Sequence, residues 1–359
     1  MKNLVPMKLM RSAIIIALTW LAGCAAMDQY LPADAPLLTT AQEIKVGSTV
    51  EDRLLQLLGG PRHDQALLEE LDSLIKQEGG DSRFTVSVAD KSAAALYALP
   101  GGRIVVTRGI LSEISGQGEL VALLQDAAAL TRTAYSDRAN RASNEATAEI
   151  LSLKESVYDP ESGSIRLARI FAQRPCEGSC LTSLMQSGVS RSGDVPESIR
   201  MLKELQPAYK LLKEAQRLEK ADKPSQAITQ YLNAASMAPD EPQILGSLGM
   251  AYLRAGELQT SRLNLQKAVE LQPDYYMTRM GLGYLYLQQG KVRKANDQLA
   301  ESVRLLPVTE NLFLLAEARE KGGDAKGGMS LYRLIVETDP HSKLGRTAAS
   351  RLARSKGVQ

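Results

Sequence analysis

Histidine is nearly absent from this sequence. His63 and His341 are the two histidines among 359 residues, whereas a catalytic zinc site takes three protein ligands and draws heavily on histidine. Tryptophan occurs once, at Trp20, and there are three phenylalanines and three cysteines. The scarcity of histidine limits any zinc chemistry that the chain can carry.

Excess charge and long apolar runs are absent as well. The formal net charge is +2, and residues 1–23 contribute Lys2, Lys8 and Arg11 without any acid, so the rest of the chain is near neutral. A near-neutral protein has no electrostatic reason to bind nucleic acid. Hydrophobic residues make up 44% and charged residues 23%, the balance of a globular protein, and the length suits two domains.

The first residues have the pattern of an export signal. Basic residues precede a short apolar run at 12–20, which is far below the roughly 20 residues of a membrane span. We therefore predict a signal peptide at 1–23. Leu21-Ala-Gly-Cys24 resembles a lipobox, and that resemblance implies acylation of Cys24 with fatty acids such as palmitate. The alternative is a plain signal peptide with a coincidental cysteine.

The lipobox resemblance also implies a location. Because Ala25 and not aspartate follows the cysteine, it implies an outer-membrane protein anchored by lipid and facing the periplasm. Several acyl chains would anchor stably, since each buried methylene contributes roughly 0.8 kcal/mol. Residues 24–36, which contain Pro32 and Pro36, are predicted to be a tether.

A mixed pattern of helices and strands follows the tether. Leucine spacing predicts helix over 37–75, alternation predicts a strand at 84–88, and the segment 97–102 ends in Pro-Gly-Gly and predicts a turn. A second strand is predicted at 103–107. The strongly apolar segment 119–130 predicts a buried helix.

These segments resemble a known family of enzymes. The order and spacing of Phe84 to Asp90, Ala-Leu-Pro-Gly-Gly at 98–102, Ile-Val-Val-Thr-Arg-Gly-Ile-Leu at 104–111 and Glu-Leu-Val-Ala-Leu-Leu at 119–124 are similar to those of the BepA/LoiP/HtpX-type zinc metallopeptidases. The resemblance covers roughly residues 40–160 and implies a zincin-like domain, which we place at 37–185. In that family the last segment continues into the zinc motif H-E-x-x-H.

The sequence departs from the family at the zinc motif. Gln125 and Ala129 occupy the two histidine positions, and Asp126 occupies that of the catalytic glutamate. Positions i and i+4 share a helix face, so two histidines there can hold one zinc ion, but alanine has no donor and glutamine is a poor zinc ligand. The resemblance implies a third ligand at Glu145, followed by Thr147 where the family has aspartate. One carboxylate does not hold catalytic zinc.

We therefore expect no catalytic residue, no metal and no cofactor in this domain. The alternative is a working zinc peptidase with atypical ligands. Peptide binding is the activity that could survive, because an unpaired strand edge at 103–107 can accept an extended client. A purely structural relic that packs against the rest of the chain is the competing interpretation.

Two cysteines and a linker separate this domain from the next. Cys176 and Cys180 are close in sequence and, in an oxidising compartment, most simply form a disulfide. A redox switch or a metal clip is the alternative. Residues 186–206 begin small and polar and are predicted to be the interdomain linker, which passes into a helix by about Pro196.

The last half of the chain is repetitive. Proline recurs with spacings of 34, 34 and 33 residues, at Pro239, Pro273, Pro307 and Pro340. A period of 34 residues is that of the tetratricopeptide repeat (TPR), a helix pair that is stable only when stacked. We predict TPR repeats over 207–340 with a concave protein-binding surface. The residues predicted for binding are Leu245, Tyr252, Asn264 and Tyr286.

Residues 341–359 carry several basic residues and no acid. They are predicted to form a capping helix, and contact with anionic lipid or lipopolysaccharide is the alternative.

The predicted fold is therefore α+β: a mostly helical zincin-like domain with a small sheet, followed by an α-solenoid of TPR pairs. The two-part order resembles that of BepA-type proteases and chaperones of outer-membrane protein assembly. The expected function is binding of client proteins in envelope or outer-membrane protein assembly and quality control, without catalysis. The alternatives are an active zinc endopeptidase and a structural pilot or scaffold of a secretion or export complex. Expected partners are envelope proteins or peptides, through the TPR groove and the edge strand, and the membrane, through the lipid.

Overall fold

The computed structural model describes residues 40–77, 84–133 and 194–356. Several predicted features lie outside these residues, namely the leader with Cys24, the carboxylate of Glu145, and the pair Cys176 and Cys180. They stay predictions.

Short helices and strands build the first domain. In chain order they are α1 (Thr40–Leu57), α2 (Gln65–Gln77), β1 (Thr85–Ala89), β2 (Leu96–Leu99), a 3-10 turn (Pro100–Gly102), β3 (Arg103–Thr107), α3 (Arg108–Glu113), α4 (Gln117–Thr133) and α5 (Glu197–Glu204). None of the helices in the described part of the chain is long and apolar enough to span a membrane.

The helical pattern predicted over 37–75 corresponds to two helices, since α1 ends at Leu57 and a turn leads into α2. Gly59 and Gly60 have φ values of 97° and 92°, a left-handed conformation that glycine adopts without steric cost. The turn then runs beside the sheet, since the N–H of Arg62 donates to the carbonyl of Val88 over 2.8 Å. Two glycines in succession therefore redirect the chain.

The sheet has the order β1-β3-β2, with β1 parallel and β2 antiparallel to β3. Thus the strand at 103–107 is central, and the predicted edge position is wrong. Four of its five residues are buried, as is typical of a strand covered on both faces. The predicted turn at 97–102 is also partly wrong, because its first residues belong to β2. The change of direction is confined to Pro100–Gly102, where Gly101 has a φ of 73°.

The core of the first domain lies between this sheet and α2, α3 and α4. The predicted buried helix at 119–130 is confirmed, with Leu120 and Leu123 fully buried in this core. Ile199 and Leu202 of α5 are buried in the same core. The last part of the predicted linker 186–206 is therefore a helix that belongs to the first domain, because its apolar face requires burial.

Four helix pairs and a last helix form the repeats. They are α6 (Gln206–Lys220), α7 (Pro224–Met237), α8 (Pro242–Arg254), α9 (Leu258–Leu271), α10 (Tyr276–Gln288), α11 (Val292–Leu305), α12 (Thr309–Lys321), α13 (Ala325–Thr338) and α14 (Lys343–Lys356). Each of the four periodic prolines lies in the turn that follows the second helix of a pair. The predicted period thus corresponds to one helix pair.

Glycine brings the two helices of a pair together. A Cβ added at Gly249 would lie 2.7 Å from Cγ of Leu265, and one added at Gly283 would lie 2.5 Å from Cγ of Leu299. Both distances are shorter than van der Waals contact. A larger residue would therefore push α8 and α9 apart, and likewise α10 and α11. At the end of the stack, α14 buries Ala348 against α12 and α13, the position of a capping helix.

Candidate functional site

The zinc-motif positions lie on α4. Gln125 and Asp126 are half-buried there and Ala129 is exposed. Because α4 offers an amide and a methyl group at the two histidine positions, these residues do not fit a catalytic zinc ion. Within the described ranges no group of three or more His, Cys, Asp or Glu side chains could hold a metal ion. His63, one of the two histidines, donates a hydrogen bond from Nε2 to the carboxylate of Asp274 in the repeats over 2.8 Å.

The first domain meets the repeats at a buried cluster of charged side chains, which we call the seam cluster. Its members are Arg62, Asp90 and Arg108 of the first domain and Tyr209 and Glu241 of the repeats. Arg108 has no exposed surface, and its Nε donates to Oδ1 of Asp90 over 2.7 Å. Arg62 donates to both oxygens of Glu241 over 3.1 Å each and to Asp90 over 3.2 Å. Two cations thus face two carboxylates.

Tyr209 lies at the centre of the seam cluster. Its ring centroid is 3.2 Å from Cζ of Arg108, a cation–π contact, and its hydroxyl lies within hydrogen-bond distance of Glu241 and Asp90. Burial, and then the charge of Asp90, raises the pKa of Tyr209 well above its usual value. Burial by itself lowers the pKa of Arg62, but Asp90 and the other acidic partners outweigh it, and the pKa ends above its ordinary value. The phenol therefore stays neutral and the guanidinium stays charged.

Side chains of α1 cap helices of the repeats beside this cluster. Arg53 donates to the last carbonyls of α11, at 2.6 Å for that of Arg304. Gln56 donates to the carbonyl of Asp274 over 2.6 Å and accepts from the N–H of Tyr276 over 2.9 Å. Helix ends carry unpaired carbonyls and N–H groups, and α1 satisfies them here. The first domain therefore docks on the helix ends of the repeats. The rest of the first helix of each pair stays accessible.

The turn between α1 and α2, residues 58–64, fits closely against the repeats, and we call it the docking turn. A Cβ added at Gly60 would lie 2.5 Å from Nε2 of Gln272 and 3.0 Å from the ring of Tyr275. Gln272 donates to the carbonyl of Pro61 over 2.5 Å. Glycine is required in this turn both for its φ and for the close approach.

A cavity of about 460 Å³ lies between the first domain and the repeats. Its charged lining residues include Asp52, Arg62, His63 and Asp274. Burial raises the pKa of Asp52, although Arg103 and Arg53 act in the opposite direction. Hydrogen bonding to Asp274 raises the pKa of His63.

A second cavity, of about 290 Å³, lies on the first helices of the pairs, and we call it the inner groove. Its walls come mainly from α6, α8 and α10, and Tyr231 of α7 also lines it. The lining residues are Gln216, Glu219, Tyr231, Gln243, Gly246, Ser247, Met250, Arg254, Tyr275, Met277, Thr278 and Met280. Three methionines on two neighbouring helices make this surface apolar and adaptable.

The four residues predicted for protein binding lie elsewhere. Leu245 and Tyr286 are each 6% exposed, so these two side chains pack inside the stack and offer little surface to a partner. Tyr252 and Asn264 are half-buried, and neither lines the inner groove. The residues that define the repeat pack its helices against each other.

The inner groove and the seam cluster are the features that sequence reasoning missed. Along α8, Gln243, Ser247, Met250 and Arg254 recur at the spacing of one helix face, opposite the packing face. Met277 and Met280 repeat that pattern on α10. This periodicity is visible in the sequence. The seam cluster is indicated less clearly in the sequence, where the two successive glycines of the docking turn are its one local sign.

Comparisons with known proteins agree with the repeat architecture. The tetratricopeptide repeat family matches residues 212–276, and a comparison with curated proteins gives no match. Among solved structures, MamA 41-end from Desulfovibrio magneticus RS-1 is 21% identical, with a TM-score of 0.35, covering 41% of this chain and 96% of that chain. The first TPR of Spaghetti bound to the HSP90 peptide SRMEEVD is 20% identical, with a TM-score of 0.32, covering 33% of this chain and 94% of that chain. The family match places TPR repeats within residues 212–276, and the helix pairs α6 to α13 continue the same arrangement.

Proposed function

We propose that this protein binds segments of other envelope proteins in the inner groove of its TPR repeats. The observation that carries the proposal is the groove itself, an accessible apolar surface on the first helices of three successive pairs. Met277 is 41% exposed within it. Stacked repeats present surfaces of this kind to proteins, and exposed apolar patches mark interaction sites. The docked first domain covers one end of the groove and leaves the rest of it open.

The export signal and Cys24 support an envelope location. In this proposal the lipid holds the protein at the periplasmic face of the outer membrane, and the tether lets the two domains reach proteins in transit. Client binding during outer-membrane protein assembly is the function that follows. The β3 strand does not contribute an edge to it, since both of its sides are paired.

Site-specific photo-crosslinking tests the proposal. A photoreactive residue at Ser247, inside the groove, should crosslink to unfolded or assembling outer-membrane proteins in living cells. The matched control is Leu263, which is 63% exposed on α9 and lies outside the groove. Equal crosslinking from both positions, or none from Ser247, would contradict the proposal. A single fixed complex as the product would favour the pilot or scaffold function instead.

The non-catalytic part of the proposal rests on the donors of α4 and has its own test. Purified mature protein is expected to contain no stoichiometric zinc and to leave casein intact. Zinc at one equivalent together with chelator-sensitive cleavage of casein would establish the peptidase with atypical ligands. A variant with Asp126→Asn separates the two outcomes further, because only an enzyme would lose cleavage.

A further inference from the structure

The chemistry of the inner groove narrows the class of segment that it accepts. From that chemistry we infer that the groove takes an extended, uncharged and mostly apolar stretch of a partner protein, and that it disfavours acidic segments. This inference rests on the proposed function and names the partner class of the same site.

The charges of the groove are already paired. Among its lining residues in the described part of the chain, the one cation is Arg254, and it forms an ion pair with Glu219. Glu219 also accepts a hydrogen bond from the hydroxyl of Tyr231 over 3.0 Å. A partner carboxylate would therefore find no uncommitted cation, and it would be placed near the charge of Glu219. Transfer of an unpaired charge from water to such a surface is unfavourable.

The apolar lining is formed by flexible side chains. Met250, Met277 and Met280 are unbranched thioethers that repack around different shapes, and surfaces of this type bind varied partners. Glycines give the groove its depth, since a Cβ at Gly246 would lie 2.7 Å from Cγ2 of Thr278. At Gly281 an added Cβ would lie 2.5 Å from Sδ of Met250. This glycine therefore allows the methionine side chain to pack directly against the backbone of α10.

The size of the groove selects an extended segment. Its volume of about 290 Å³ is at the lower end of ligand pockets, which run from roughly 300 Å³ upward. A helix with side chains is about 10–12 Å across and does not fit, whereas one or two large apolar side chains do. Each such side chain gains roughly 1.5–3 kcal/mol on full burial, so several contacts are needed for stable binding.

The first domain closes one end of the groove. Gln243 lines it and donates to the carbonyl of Asp90 over 3.2 Å. Tyr275 lines it too and lies against Gly60 of the docking turn. A bound segment therefore crosses the helices from the open side, and the full chain is the form to test.

Fluorescence anisotropy with two labelled peptides tests the inference on the full mature chain. One peptide contains leucine, phenylalanine, serine and asparagine, and the second has aspartate in place of the leucines. The apolar peptide is expected to bind at least about tenfold more tightly, a difference of about 1.4 kcal/mol. Equal or tighter binding of the acidic peptide would overturn the inference.

Two variants locate the effect. Met277→Glu should weaken the apolar peptide by about tenfold, and the matched control Leu263→Glu on α9 should leave it unchanged. Glu219→Gln frees Arg254 while keeping an acceptor for Tyr231, so the acidic peptide should gain affinity in this variant. If Glu219→Gln changes neither peptide, the charge argument is wrong.

The remaining outcomes separate the inference from the proposed function. Crosslinks from Ser247 to a folded partner or to a second copy of this chain, with neither peptide bound, overturn the inference and leave protein binding by the groove in place. Absence of both crosslinks and peptide binding removes the proposed function itself.

Discussion

The repeats present two surfaces of opposite character, the seam with the first domain and the inner groove. The seam buries two arginines, two carboxylates and a tyrosine in fixed hydrogen-bonded geometry. The groove offers thioethers and a single satisfied ion pair. Buried charges discriminate strongly, because a wrong neighbour leaves them unpaired. One surface is therefore suited to a single permanent partner within the chain, and the other to a range of transient ones.

Removal of Arg108 tests this comparison with the largest expected effect. Arg108→Ala leaves the carboxylate of Asp90, which is 1% exposed, without its closest cation and removes the cation–π contact with Tyr209. Loss of one partner of a buried ion pair costs about 3–5 kcal/mol. Thermal unfolding should therefore shift to a much lower temperature.

The control for that experiment is Arg354→Ala, since Arg354 is exposed on α14. Its effect should stay within about 0.5 kcal/mol. Similar shifts for the two variants would mean that the seam cluster contributes little to holding the domains together.

The docking turn provides the next largest effect. Gly60→Ala strains a residue with a φ of 92° and places a methyl group 2.5 Å from Nε2 of Gln272. Gly256→Ala is the matched control, because Gly256 has a φ of 80° and no atom within 4 Å of an added Cβ. Both variants should lose about 1–2 kcal/mol from backbone strain, and Gly60→Ala should lose further stability from the clash, about 1–3 kcal/mol. Equal unfolding midpoints in denaturant would show that close approach at the seam is unimportant.

Tyr209→Phe tests how much the tyrosine hydroxyl contributes to the seam cluster. The variant keeps the ring beside Arg108 and removes the hydroxyl that bonds to Glu241 and Asp90. A buried acceptor that loses its donor costs about 1–3 kcal/mol, and Arg62 still serves both carboxylates, so the lower part of this range is expected in chemical denaturation. Binding of peptide to the groove should be unchanged, and a loss of binding would show that the two surfaces are not independent.

The smallest expected effect is a dependence of the free energy of unfolding on pH. Hydrogen bonding to Asp274 raises the pKa of His63 above its ordinary value of 6.5, so the folded state favours the protonated ring. The extra stability is fully present below pH 6.5 and disappears as pH rises through the raised pKa. The His63 side chain is 51% exposed, and screening keeps the effect below roughly 1 kcal/mol.

Unfolding midpoints of the parent and of His63→Gln measure that effect. Their difference should be largest in mildly acidic buffer and vanish in alkaline buffer. A difference that grows with pH would contradict the assignment.

The repeats could be predicted from the sequence because their constraints are local. The prolines mark the turns, and Gly249 and Gly283 mark the close contacts within a pair. However, the residues that pack the helices are easier to recognise in the sequence than the residues that line the groove. Leu245 and Tyr286, for example, are both part of the repeat pattern and buried inside the stack. Met250, one residue after Gly249, points to the groove.

The first domain was harder to predict because its decisive contacts join distant parts of the chain. The position of β3 in the centre of the sheet depends on pairing with both β1 and β2, and its own five residues specify only that it is buried. Arg62 and Glu241 lie far apart in sequence, and nothing local shows that they meet. The break between α1 and α2 coincides with Gly59-Gly60-Pro61, a turn signal that is visible in the sequence.

The docking of α1 and its following turn on the repeats has a mechanical consequence. In a free solenoid neighbouring helix pairs can tilt relative to each other, and this changes the pitch of the superhelix. Here the contacts at Tyr209, Gln243, Gln272 and Arg304 join the first domain to three consecutive helix pairs. These contacts restrain the relative tilt of the three pairs before a partner binds, so less conformational freedom is lost on binding. The pair α12 and α13 is not held by these four contacts.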